Sequence, residues 1–245
     1  MPAIGLIIIG DEILSSKRRD KHFSHFIDAL ALRGLELAWC RIIGDNPGQI
    51  VETLQQTMAA PDIVFSCGGV GATPDDHTRR CAALAAGVSM SRHPGAVAEI
   101  EAQFGAGAYP TRILMADLPQ GAGLIPNPYN RIPGFKLADH HFLPGFPMMA
   151  WPMFEWVMDT HYAKLTRTLP EASATLIVRD TAESDLMPLM QRITRDYPDL
   201  RFASLPHIDT DGKWVELSVQ GQTHRVDAAK HTMLTELTHL GLNAS

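Results

Sequence analysis

The sequence predicts an α/β protein: a three-layer, mostly parallel sheet with helices on both faces, followed by a small α+β domain of ferredoxin-like pattern. Three observations predict it. Ile4 to Ile9 is an apolar run without alternation, the mark of a strand covered on both faces. Strand-like and helix-like stretches then alternate as β-α-β-α-β-α up to Ala86, with connections long enough for crossover helices. Around Leu169-Pro170 the register changes, and the pattern becomes β-α-β-β-α. The domains are therefore drawn at 1–167 and 168–245.

The elements follow in order. Ile4 to Ile9 is the first strand, ending in Gly10-Asp11-Glu12. Phe23, Phe26, Ile27 and Leu30 recur at helical spacing, and Gly34 stands where that helix stops. Leu35 to Ile43 is the second strand, ending in Gly44-Asp45-Asn46. Pro47 opens a helix with Ile50, Val51, Leu54 and Met58 on one face. Ile63 to Cys67 is the third strand. It enters a glycine-rich loop, Gly68 to Asp76, and a helix is expected from about Asp75 to Ala86. His93 to Phe104 reads as helix, Gly121 to Arg131 as loop, His140 to Leu143 as a late strand with its histidines at the surface, and Met148 to Tyr162 as a buried helix. In the second domain, Ala174 to Val178, Arg201 to Leu205 and Trp214 to Val219 read as strands, and Glu183 to Tyr197 and Val226 to Leu240 as helices. His207 to Gly212 reads as a hairpin turn rather than a metal site.

With 245 residues and 45 % hydrophobic content, the chain can bury a sizeable core. Its formal net charge of −6 argues against wholesale nucleic-acid binding, which needs a basic face. An anionic ligand must instead be held by a local site. No apolar run is long enough to span a membrane. Cys40, Cys67 and Cys81 form no Cys-x-x-Cys pair and are odd in number, which fits a reducing, cytoplasmic setting with buried thiols.

Chemistry concentrates at strand ends. Three strands finish in glycine plus acid: Gly10-Asp11-Glu12, Gly44-Asp45-Asn46, and the loop ending Asp75-Asp76. Ligands of open parallel sheets bind outside the carboxyl ends of the strands, so these tips are expected to converge on one crevice. In the loop Gly68-Gly69-Val70-Gly71-Ala72-Thr73-Pro74-Asp75-Asp76, the glycines permit positive φ and close approach of backbone N–H groups to an anion, just ahead of a helix start. The loop is neither a Rossmann fingerprint nor a Walker A loop. Thr73, Pro74 and Asp76 also read as N-cap, N1 and N3 of a helix, in which case the aspartates only stabilise it. Otherwise Asp75 and Asp76 suit either a divalent ion such as Mg²⁺ or the N–H edge of a pterin or purine. Lys17, Arg18, Arg19 and Lys21 follow the first tip, and they either neutralise phosphate or form a solvated basic turn. Arg79 and Arg80 lie one helical turn beyond Asp76, placed so that one can reach ligand.

Seven stretches, Gly10 to Leu14, Gly44 to Asn46, Gly68 to Asp76, Leu118-Pro119, Asn127-Pro128, Pro133 to Phe135 and Leu143 to Pro147, resemble in order the CinA-like branch of the molybdopterin-binding (MoaB/MogA/MoeA-like) domain family over about residues 3–165. The second domain, with Glu183-Ser184, resembles the one that follows in CinA proteins. The resemblance implies a site for a molybdopterin- or nucleotide-type phosphorylated ligand. Its alternative implication is a metal-dependent pyrophosphatase acting on ADP-ribose-, FAD- or CoA-type molecules. By carry-over, Asp75 and Asp76 contact metal or ligand and would be the catalytic pair, Gly69 and Gly71 hold phosphate, and Glu12 lines the crevice; Asp45, Gly68, Thr73, Lys17 and Lys21 complete the expected ligand-binding set. Three departures stand out: Asp11 precedes Glu12 where the family has Thr, His22 replaces an Asn, and Met148-Met149 stand where a Glu is common. The last two replace polar groups near the site and favour binding over turnover. The amidase domain of longer CinA proteins is not expected here, and a homo-oligomer is the expected assembly.

Overall fold

The computed structural model describes residues 2–166, 171–209 and 212–245. The chain divides into two compact units, Met1–Thr166 and Arg167–Ser245.

The first unit is built on a six-stranded sheet. Its strands are β1 (Ile4–Ile9), β2 (Trp39–Ile43), β3 (Ile63–Cys67), β6 (Gly123–Ile125), β7 (Gly134–Leu137) and β8 (His140–Leu143), in spatial order β2-β1-β3-β8-β7-β6. The pairs β1–β2, β1–β3 and β3–β8 are parallel, while β8–β7 and β7–β6 are antiparallel. β4 (Met90–Arg92) and β5 (Asp117–Pro119) form a separate two-stranded ribbon. The helices are α1 (Asp11–Leu14), α2 (His22–Ala31), α3 (Pro47–Met58), α4 (Thr78–Ala86), α5 (Pro94–Phe104) and α6 (Pro147–His161).

The unbroken apolar run of β1 is explained by burial on both faces. Ile7 and Ile9 join the core beneath α3, α4 and α5, whereas Ile4, Leu6 and Ile8 join the core beneath α2 and α6. Alternate side chains leave a strand on opposite faces, so a strand with helices on each side needs no polar alternation. Aromatic packing fills the second core, where Phe26, Phe65 and Phe154 meet edge-on or tilted with centroids 4.3–5.5 Å apart. Gly5 sits under the Trp39 indole, and a Cβ there would lie 2.0 Å from the ring.

Several expectations change. β2 begins at Trp39, not Leu35. Gly121 to Arg131 is not all loop: Gly123–Ile125 pairs with β7 as the edge strand. Three residues cannot show an alternation, so this strand has no period to read. His140 and His141 lie on a strand, as expected, but not at the surface. β8 is flanked by β3 and β7, and the two rings are 2 % and 0 % exposed. His140 Nε2 is 2.9 Å from Thr57 Oγ1; His141 donates from Nδ1 to the Val64 carbonyl (3.3 Å), and its Nε2 meets the Tyr162 hydroxyl. Burial pushes their pKa values down to about 4 and about 3.

The second unit contains β9 (Glu171–Arg179), α7 (Met187–Asp196), β10 (Arg201–Asp209), β11 (Gly212–Gln222) and α8 (Thr223–His239). The sheet is antiparallel, with β11 between β10 and β9. Val215, Leu217 and Val219 of β11 pack with Leu189, Ile193, Val226 and Met233 of the helices. The β-α-β-β-α order is one strand short of the ferredoxin-like pattern, which leaves an edge on β9, where Ile177 and Ser245 exchange backbone hydrogen bonds of 3.0 and 3.1 Å. The helix expected from Glu183 begins as a 3₁₀ turn, Glu183–Leu186, and becomes α-helical at Met187. The tip of the β10–β11 hairpin, Thr210-Asp211, lies outside the described residues.

Candidate functional site

The order β2-β1-β3 puts a topological switch between β1 and β3, where the connections leave to opposite sides. Crevices open at the carboxyl ends of strands at such points. A cavity of about 410 Å³ lies there. Ile9, Gly10 and Glu12 enter it from the end of β1, Asp45 from β2, Gly68 to Thr73 with Asp75 and Asp76 from β3, and Pro144, Gly145 and Phe146 from β8. Asn127, Asn130, Ile132 and Pro133 from the β6–β7 connection, together with Met115 and Met149, close the remaining sides.

The glycine loop owes its shape to what lies behind it. The Thr78 hydroxyl donates to the Gly68 carbonyl (2.9 Å), the Thr78 amide to the Gly69 carbonyl (3.0 Å), and the Arg79 guanidinium to the Gly71 carbonyl (2.7 Å). In a trans peptide unit the carbonyl and the next N–H point opposite ways. Anchoring these three carbonyls toward α4 therefore turns the amides of Gly69, Val70 and Ala72 the other way. Among the described residues, nothing accepts a hydrogen bond from the amides of residues 69 to 72. Two glycines are required sterically. Gly68 has φ 118° and its missing Cβ would stand 2.1 Å from the Ile9 carbonyl oxygen; Gly69 has φ 64° and would meet the Thr78 hydroxyl at 2.4 Å.

Thr73 to Asp76 does not cap a helix. The Asp76 amide bonds the Thr73 carbonyl at 3.0 Å, closing a turn, and α4 starts at Thr78 with His77 as its N-cap. The Asp76 carboxylate accepts from the Thr73 amide (2.8 Å) and hydroxyl (2.5 Å), so the two residues expected at N-cap and N3 hold a turn instead. Asp75 is exposed and lines the crevice.

The other two acidic tips also meet. Asp11 accepts from the Asp45 amide (3.1 Å) and Asp45 from the Asp11 amide (2.9 Å), tying the ends of β1 and β2 together. Asp45 lines the cavity, and desolvation, then the charges of Asp11, Glu12 and Asp75, raise its pKa. Glu12 folds back over Gly10, which has no side chain to obstruct it. Of the basic residues after β1, Arg18 lines the cavity with its guanidinium 5.6 Å from the Phe146 ring centroid. Lys17, Arg19 and Lys21 are outside the lining, and so are Arg79 and Arg80. Asn127 and Asn130 brace the opposite wall: Asn127 donates to Asn130 (2.8 Å) and to the Ile132 carbonyl (3.0 Å), and Asn130 donates to Met149 sulfur (3.6 Å). Their place in the lining was not visible in spacing, because they reach the crevice from a connection distant in sequence.

Among the described residues, no three His, Cys, Asp or Glu side chains are placed to hold a metal ion. Asp76 already spends one oxygen on Thr73. This donor set does not fit a protein-built metal centre.

The fold and the crevice define an α/β protein with a glycine-rich loop at the carboxyl edge of its sheet. Residues 5–164 match the family model described as a probable molybdopterin binding domain, and the chain belongs to that family. It is similar to a CinA-like protein of Citrifermentans bemidjiense, at 35 % identity over 62 % of this chain and 38 % of the relative. It is also similar to a CinA-like protein of Geotalea uraniireducens, at 28 % over 98 % of this chain and 59 % of the relative. A protein of Pyrobaculum calidifontis is 25 % identical over 89 % of this chain and 87 % of its own length. The chain thus spans about two fifths to three fifths of those two CinA-like relatives. The crystal structure of a CinA protein of unknown function from Thermoplasma acidophilum shares the fold, with a TM-score of 0.59 at 24 % identity, covering 64 % of this chain and 97 % of that one. Among the described residues, no helix is long and apolar enough to cross a membrane.

Proposed function

We propose that the crevice binds a molybdopterin- or nucleotide-type phosphorylated ligand and holds it without turnover. One observation carries this reading: the glycine loop has its carbonyls tied back and its amides unbonded beside an open cavity. Amides so arranged form a nest for phosphate oxygens. Glu12, Asp45 and Asp75 line the same cavity and suit the N–H edge of a pterin or purine. Thr73 shapes the turn by holding Asp76, and Arg18 is the cation best placed to meet phosphate. Family membership supports the ligand class.

A thermal-shift and calorimetric screen of molybdopterin, simpler pterins, ADP-ribose, FAD and CoA tests the proposal. A saturable rise in melting temperature with a phosphorylated pterin or nucleotide is expected. A folded protein that responds to none of them, far above a plausible Kd, would overturn it. The same mixtures, assayed for pyrophosphate cleavage with Mg²⁺ or Co²⁺, are expected to remain intact. Cleavage would instead establish the hydrolase alternative.

A further inference from the structure

A second cavity, of about 450 Å³, lies across the Thr73–Asp76 turn from the crevice and shares Ala72, Thr73 and Asp76 with it. Its chemistry has the opposite sign. Arg79, Arg80, Arg92, His77 and Ser91 line it, against two carboxylates, Asp76 and Asp117. Both carboxylates are already engaged, Asp117 with Arg92 at 2.5 and 3.1 Å and Asp76 with Thr73. The crevice, by contrast, is lined by Glu12, Asp45, Asp75 and Asp76 with Arg18 as its guanidinium.

Arg79 is the telling residue. It is 8 % exposed, and its guanidinium donates to three neutral carbonyls: Leu114 (2.6 Å), Asp117 (2.8 Å) and Gly71 (2.7 Å). Its Nε is buried and has no acceptor. Among the described residues no carboxylate forms an ion pair with it, although a buried charge is normally paired. Arg80 is exposed on the rim and likewise has no ion-pair partner among the described residues. The amides of Arg79 and Arg80 open the nine-residue helix α4, and no described residue accepts a hydrogen bond from them. Free helix-start amides, a buried guanidinium without an ion pair among the described residues and an exposed guanidinium together favour an oxyanion.

We propose that this cavity is a second anion site, taking a phosphate group between Arg80, Ser91, Arg92 and the first amides of α4, with Arg79 as the buried charge behind it. The site stands apart from the crevice reading and does not require it. It is linked to the crevice physically, because Arg79 also holds the Gly71 carbonyl and Asp76 holds the shared turn. An anion drawn toward Arg79 acts on the same peptide units that aim the glycine-loop amides.

The test is a titration of the ¹⁵N-labelled full chain with inorganic phosphate, and in parallel with glycerol 3-phosphate, at constant ionic strength. Saturable shifts of the Arg79, Arg80, Ser91 and Arg92 amides are expected. Tighter binding of the ester would assign the site to phosphomonoesters, and tighter binding of the free ion to phosphate itself. Arg80→Gln should weaken binding about tenfold by removing one charge-assisted hydrogen bond, and Arg80→Lys should restore part of it. Absence of saturable shifts, shifts confined to residues 69–72, or an Arg80→Gln affinity equal to that of the unaltered chain would each overturn the proposal.

Discussion

In the first unit β1, β2, β3 and β8 run parallel, and all four end on the same edge of the sheet, each passing the chain into a loop that lines the crevice. In the second unit every neighbouring pair is antiparallel, so the carboxyl ends of neighbouring strands fall at opposite edges of the sheet. Burial follows the same division. β1 and β3 are covered on both faces, while β11 alternates buried and half-buried residues from Trp214 to Val219. Parallel topology gathers loop chemistry at one edge, and antiparallel topology distributes it. The crevice and its fourfold convergence therefore belong to the first unit, and the second is a helix-backed sheet.

The sharpest way to break that comparison is Gly68→Ala. The new Cβ would meet the Ile9 backbone at 2.1 Å in a left-handed conformation, and neither partner is a flexible side chain. Left-handed strain and overpacking together should cost about 4 kcal/mol and abolish ligand binding, as read by denaturant melts and calorimetry. Retained affinity would show that the loop does not hold the ligand. Leu217→Ala in β11, at a fully buried position, should cost about 3 kcal/mol yet leave the affinity of the crevice unchanged. A changed affinity would place part of the site in the second unit.

Acid should discriminate between the sheets as well. His140 and His141 are held below their ordinary pKa by burial, so the folded state resists protonation while the unfolded state does not. Stability is thus complete above about pH 6.5 and is lost as pH falls from there toward about 4, by roughly 2 kcal/mol per histidine at pH 5. Urea melts at pH 7.5 and 5.0 check this, and His141→Phe should flatten the difference. The smallest effect is expected at the surface of the second unit. Arg192 pairs with Glu236 while remaining 45 % exposed, and Arg192→Ala should cost below about 1 kcal/mol, declining further with salt.

Much of this arrangement is legible in the chain. The apolar run of β1, the helical spacing of Phe26 and Leu30, and Pro47 at a helix start all describe local physics, and each lies where its pattern places it. The glycine-plus-acid tips mark strand ends, and all three reach one crevice. Less legible was the division of labour among those tips. Asp11 and Asp45 clamp each other's backbone, and Asp76 holds a turn, uses that depend on partners 34 and 3 residues away. Arg79, one of two arginines of which spacing lets either reach ligand, anchors the loop from behind. His140 and His141 read as surface because a four-residue strand carries no sign of how many neighbours it will acquire.

By itself the sequence determined the longer strands and helices, where glycine relieves the backbone and which strand ends carry acid, because these are properties of neighbours within a few residues. Only the tertiary structure decided which peptide groups face outward, which carboxylates are already occupied and where a buried cation is held by backbone carbonyls. Those outcomes depend on hydrogen-bond partners brought from distant segments, and a polar group's availability is settled by what else reaches it.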